Sequence, residues 1–338
     1  MNVHVACITA QFFQIKDLCL SRRLNRSWLQ HFDHPALFNY IRFDIVAGFP
    51  SRVLRSFPYA RRLQLAFYDA SLESFSFLRE LRFTSDAPFD GLCSYFEHTV
   101  PNTFLCRLEL SNCELGIEII LHKFPRLTAL YLHYKTPLVL MGSVTSFGCI
   151  VDSSTSNAAI DTSLLADITS LHLFQFQHHL GSVHSYFSAF RALVSLVVPI
   201  SNLKHLVQIS KSATHVENLT VIFHGYRNML LESFVALTMF GARLKRLSVT
   251  FQSITADLRS IELLCKLTSL QYLEIHGGQI YVFRDDLQLL KAALPRLPSL
   301  REFRCINCLT DLESSFRFPD AMGSLRYIQI AHVSKVFG

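Results

Sequence analysis

What this sequence has little of narrows its class. Asp, Glu, Lys and Arg make up 17% of the 338 residues, against about a quarter in an ordinary globular chain. With 50% hydrophobic residues and a mean hydropathy of +0.28, a large core is expected and disorder is excluded. Yet no apolar run approaches the ~20 residues of a spanning helix. Typical runs such as LVLM (138–141) end at polar residues or glycine, so no membrane partner is expected. The start, MNVHVACITAQFF, has no basic stretch and no A-x-A-like site, so no signal peptide is expected. The nine cysteines are odd in number and scattered, which argues against a disulfide framework. A reducing compartment, cytoplasmic or nuclear, fits that usage.

Catalytic motifs are also lacking. There is no G-x-x-x-x-G-K-S/T loop, no G-x-G-x-x-G, no G-x-S-x-G and no H-E-x-x-H. Cys305-x-x-Cys308 has no second C-x-x-C to complete four zinc ligands, so core cysteines are expected. His178, His179 and His184 lack a convincing carboxylate or cysteine set, and a loop is expected there. Gly277-Gly278-Gln279 follows a strand-like stretch and reads as a turn. The expectation is a protein that is not an enzyme, with no metal and no cofactor.

What is present is a repeat. LCRLELSNCEL places Leu105, Leu108, Leu110, Cys113 and Leu115 in the order L-x-x-L-x-L-x-x-C-x-L. Its core recurs as Leu127/Leu130/Leu132, Ile168/Leu171/Leu173, Leu193/Leu196/Val198, Val216/Leu219/Val221 and Leu244/Leu247/Val249. It continues as Leu270/Leu273/Ile275, Leu300/Phe303/Cys305 and Leu325/Ile328/Ile330, with weaker copies at Ala60/Leu63/Leu65 and Leu78/Leu81/Phe83. The middle residues of these eleven copies stand 18 to 30 residues apart, with one interval of 41. That spacing and pattern resemble the leucine-rich repeat. The expected fold is α/β: a solenoid with a curved parallel sheet and helical or irregular return segments. DLRSIELLCKL, with Leu258, Ile261, Leu264 and Cys265 on one face, reads as such a helical return. The array is expected over residues 46–338. The long interval falls on the Ser/Thr-rich residues 141–163, which read as an inserted loop; a degraded repeat is the less favoured reading.

Residues either side of each middle position point away from the core. On that concave face the two outward rows carry five Arg and four Glu, so the face is near neutral. Nucleic acid needs a one-signed basic stripe, and no such partner is expected. A weaker alternative would place nucleic acid on Arg52, Arg55, Arg61 and Arg62. The candidate protein-binding residues are Arg82, Arg107, Glu109, Tyr131, His172, Arg246, Tyr272, Glu274, Arg304 and Tyr327.

The first 45 residues read as helical. Leu20, Leu24, Trp28 (the single tryptophan) and Phe32 recur every four residues, and Pro35 breaks the helix. Asp17-Leu18, Leu24, Arg26, Trp28, Pro35 and Leu37-Phe38, behind the apolar VACITAQFFQI, resemble the F-box. The family's leading Leu-Pro pair has no counterpart here. The resemblance implies a substrate-recognition subunit of a cullin–RING ubiquitin ligase. Ile8, Phe12, Phe13, Leu18, Leu24 and Trp28 would hold the adaptor subunit or support that contact. The repeats would bind an unknown protein substrate. The alternative is a stand-alone repeat scaffold whose first 45 residues only cap the array.

Overall fold

The computed structural model describes residues 42–45, 61–65, 77–84, 104–111, 123–135, 144–151, 165–177, 180–224, 230–251, 258–282, 292–310, 323–330 and 333–336. They divide into two compact units, Met1–Cys149 and Ile150–Gly338.

The first unit is built on β1 (Arg42–Ile45), β2 (Arg62–Leu65), β3 (Glu80–Thr84), β4 (Arg107–Ser111) and β5 (Ala129–Lys135). These strands pair in parallel, each with the next in sequence. Leu63, Leu81, Leu108 and Leu130 stand directly opposite one another, so each middle residue of the repeat is a register partner of the next. All four are buried, and so are the flanking Leu105, Leu110, Leu127 and Leu132. Burial of each Leu contributes about 1.5–3 kcal/mol, which no single short strand could achieve alone. β1 adds a rung that no Leu triplet announces, with Phe43 opposite Leu63.

A second device keeps the strands in step. Arg79 and Glu80 N–H groups both donate to the Arg61 carbonyl, at 2.8 and 2.9 Å. Cys106 and Arg107 donate likewise to Arg79, and Thr128 and Ala129 to Cys106. The residue before each strand is thus a shared acceptor that pins where the next strand starts.

Thr145 and Ser146 continue this ladder onto Thr128, both at 3.0 Å. They open β6 (Ser146–Val151), within which the division between units falls. Within the stretch 141–163 expected as an inserted loop, residues 146–151 form a strand. Val144, Phe147 and Cys149 are buried at the three triplet positions, and Val151 follows them. The segment is a repeat whose leucines are replaced by other apolar residues. Residues 152–163 lie outside those described.

The second unit runs β7 (Ser170–Phe176), α1 (Leu180–Ser188), β8 (Ser195–Ile200), α2 (Leu203–Ser212), β9 (Asn218–Phe223), α3 (Leu230–Thr238) and β10 (Arg246–Phe251). It continues through a 3-10 helix (Leu258–Lys266), β11 (Tyr272–Val282), a 3-10 turn (Leu294–Arg296), β12 (Glu302–Thr310), β13 (Tyr327–Ile330) and β14 (Val333–Val336). Strands β7 to β13 are parallel neighbours in sequence order, and β14 returns antiparallel to β13. Leu171, Leu196, Leu219, Leu247, Leu273, Phe303 and Ile328 form the register line. Returns are α-helical only after β7, β8 and β9 among the described residues; Leu258–Lys266, expected as a helical return, forms a 3-10 helix instead. Asn202 caps α2, its Oδ1 accepting from Lys204 N–H at 3.0 Å. Behind the sheet, Phe223 stacks on Phe251 at 5.3 Å, and Phe176 meets Phe187 edge-on at 5.7 Å.

Gly277-Gly278-Gln279 is not a turn. β11 runs through it, and its register against β12 shifts between His276 and Ile280. The extra residues form a bulge, for which glycine suits the backbone. Cys305 is buried in the core as expected, while the side chain of Cys308 lies outside those described.

Candidate interaction surface

Alternation along each strand fixes what faces outward. Inward residues are locked by the register lines, so the residues between them form continuous rows on the other sheet face.

In the first unit these rows bring Arg82, Arg107, Glu109 and Tyr131 together. Glu109 lies at the centre, its side chain only 12% exposed. Its carboxylate is 3.0 Å from Arg82 Nε, 3.7 Å from an Arg107 guanidinium nitrogen and 3.1 Å from His133 Nε2. The hydrogen bond from His133 holds the Glu109 carboxyl below its ordinary range; burial opposes this, and Arg82 and Arg107 assist. The Arg107 guanidinium lies 4.4 Å from the centre of the Tyr131 ring. The Tyr131 hydroxyl is 2.7 Å from Ser146 Oγ. Next to this cluster, Arg62 and Glu80 pair at 3.1 Å. A cavity of about 130 Å³ lies among Arg62, Glu80, Arg82, Arg107 and Glu109. It is smaller than the ~300–1,000 Å³ of a typical ligand pocket.

In the second unit, Arg246, Tyr272, Glu274, Arg304 and Tyr327 come together. Arg246 lies over the Tyr272 ring, and Arg304 approaches both Tyr272 (5.9 Å) and Tyr327 (5.4 Å). The Tyr272 hydroxyl donates to Glu274 Oε2. Burial, reinforced by that carboxylate, pushes the phenol up to about 12. Burial alone would raise Glu274, but hydrogen bonds from Tyr272, His276 and Ser248 outweigh it and leave the carboxyl lowered. His276 Nε2 stands 2.6 Å from Glu274 Oε1. Arg304 Nε donates to Glu302 Oε1 at 2.6 Å, and the Tyr327 hydroxyl to Gln329 Oε1 at 3.2 Å.

His172 belongs to neither cluster. It sits on β7 with its ring 4.5 Å from that of Phe174. Its register neighbours on β8 and β9 are the uncharged Val197 and Thr220. The adaptor candidates Ile8, Phe12, Phe13, Leu18, Leu24 and Trp28 lie outside the described residues.

Sequence reasoning missed His133 and His276. Both occupy a third outward row, three residues after the middle position, reached because β5 and β11 outlast the triplet. The signal was present: each is a polar residue continuing the alternation. Of the histidines flagged for metal, His184 is exposed on α1, with Nδ1 2.8 Å from Ser212 Oγ. Ser212 donates to the Gln208 carbonyl at 2.9 Å, which engages its proton locally. Among the described residues, no three His, Cys, Asp or Glu side chains form a metal-sized group. Nor, among them, is any helix long and apolar enough to cross a membrane.

No family model and no curated protein matches the chain. Among solved structures it is similar to a chain of the yeast Rad7–Elc1 complex, at 15% identity and a TM-score of 0.48, covering 92% of this chain and 86% of that one. It is similar to the leucine-rich repeat-containing protein LegL7 of Legionella pneumophila at 18% identity and a TM-score of 0.42, covering 80% and 91%. Against the leucine-rich repeat domain of APL1B the identity is 13% and the TM-score 0.29, covering 88% and 78%. The repeat architecture of this chain rests on its own register and burial.

Proposed function

We propose that this chain is a non-catalytic scaffold that binds another protein across the outward face of its sheet. One observation carries this reading: the face presents Arg over Tyr with its carboxylates already paired. Glu80, Glu109, Glu274 and Glu302 each have an Arg or His partner. A nucleic-acid surface depends on cations left free to neutralise phosphate. A protein partner instead meets alternating charge and rigid aromatic anchors, whose prior ordering lowers the entropy cost of binding.

Within that reading, we propose the scaffold is the substrate receptor of a cullin–RING ubiquitin ligase. The support is the ordered F-box-like series Asp17-Leu18, Leu24, Arg26, Trp28 and Pro35 ahead of the array. Ile8, Phe12, Phe13, Leu18, Leu24 and Trp28 would hold the adaptor, and the repeats would bring a target near the ligase. The chain's contribution would be proximity, not bond-making. Purified adaptor is expected to bind the full chain and to lose affinity for Trp28→Ala. Failure of adaptor to bind both this chain and a version extended upstream would end the ligase reading.

The stand-alone scaffold is a second reading, favoured by β1. That strand pairs directly with β2, so residues just after the F-box-like series already join the array. Here deletion of residues 1–40 should lower the melting temperature, while adaptor never co-purifies.

A further inference from the structure

We propose that the N-terminal edge of the first unit's sheet is a docking site for an acidic peptide segment bearing an aromatic side chain. Phe77 and Phe104 are 43% and 44% exposed, whereas the described Leu78, Leu105 and Phe124 are buried. Each directly precedes the first apolar residue of its triplet, Leu78 or Leu105. Their ring centres are 6.0 Å apart, and the Arg126 guanidinium lies 5.9 Å from that of Phe104. Exposed aromatic pairs of this kind mark binding surfaces.

The same edge carries Arg61 and Arg79. Arg79 N–H donates to the Arg61 carbonyl at 2.8 Å, so the two occupy neighbouring rungs, about 4.8 Å apart. Among the described residues no carboxylate pairs with Arg61, Arg79 or Arg126. Glu80 and Glu109 are already engaged, by Arg62 and by Arg82, Arg107 and His133. The edge is therefore cationic beside an apolar aromatic pair. Carboxylates of a partner segment would meet these arginines while its aromatic side chain covers Phe77 and Phe104. A peptide fits better than nucleic acid. The rings are inclined at 36°, leaving no parallel slot for a base, and three arginines are few for a phosphate track. The site uses neither the F-box-like segment nor the Arg/Tyr clusters of the sheet face.

The test is fluorescence polarisation of the full chain with a labelled Asp-Glu-Phe-Asp-Glu peptide and a neutral Asn-Gln-Phe-Asn-Gln control. The acidic probe is expected to bind tighter. Arg61→Glu with Arg79→Glu should weaken it about tenfold and create affinity for a Lys-Arg-Phe-Lys-Arg probe. Phe77→Ser with Phe104→Ser should weaken the acidic probe as well. Arg79→Lys should bind it nearly as the native chain does, guarding against a folding artefact. Arg246→Ala with Tyr272→Ala should leave it unchanged, which separates this site from the sheet face. Equal binding of acidic and neutral probes, no response to charge reversal, or tighter binding of an oligothymidine than of the peptide would overturn the proposal.

Discussion

The guanidinium of Arg246 lies 4.3 Å from the centre of the Tyr272 ring, and the two are register partners on β10 and β11. Arg304 then approaches Tyr272 and Tyr327 in turn, so cation and ring alternate across four strands. Each contact contributes about 0.5–1 kcal/mol at an exposed site. Their larger effect is to fix rotamers before a partner arrives.

Tyr272 should titrate late. Its phenol is raised from 10.0 to about 12 by burial and by its hydrogen bond to Glu274. A raised acid group stabilises the fold below its unfolded value, and that stability is lost as pH climbs through the folded one. Stability should therefore decline between about pH 10 and about 12. Tyr272→Phe should remove one late-ionising phenol from the ultraviolet alkaline titration and soften that decline.

Glu109 should act at the other end of the scale. His133, Arg82 and Arg107 hold its carboxyl below the ordinary 4.5. A lowered carboxyl stabilises above its unfolded value, and the contribution disappears as pH falls through the folded one. Glu109→Gln should thus be less stable than the native chain at about pH 6, with the gap narrowing by about pH 3. Thermal melts across that range check it; a constant gap would contradict the assignment.

Phe147 distinguishes a repeat strand from an insertion. Its side chain is fully buried at the middle position of β6. Phe147→Ala should cost about 3–5 kcal/mol in urea unfolding. A surface loop residue would cost within about 0.5 kcal/mol.

The repeats were legible because leucine is placed by geometry. Leu108 and Leu110 must point inward from one short strand, and the neighbouring strands repeat the demand. Phe147 and Cys149 meet the same demand without leucine, so no leucine marks them in the sequence. Phe124, Leu165 and Leu297 were missed for a different reason. Their carbonyls accept from Leu127, Ile168 and Leu300 N–H at 3.0 to 3.2 Å, closing a turn before the triplet, and they are buried with it. The pattern is thus one apolar residue longer than L-x-x-L-x-L. On the face, the rows follow from alternation, and Arg82 and Glu109 stand between buried register positions, with Tyr272 beside one. Which charge pairs with which does not follow. Arg304 stands opposite Glu274 in register, yet its guanidinium bonds to Glu302 on its own strand.

The central claim is that the outward sheet face holds a protein partner. The most direct measurement is quantitative affinity capture from cells, comparing the native chain with Arg107→Ala, Tyr131→Ala, Arg246→Ala and Tyr272→Ala combined. These side chains lie outside the core, so the melting temperature should stay within a few degrees, and captured target proteins should fall at least ~30-fold. The same proteins captured at the same abundance by a folded variant would contradict the account.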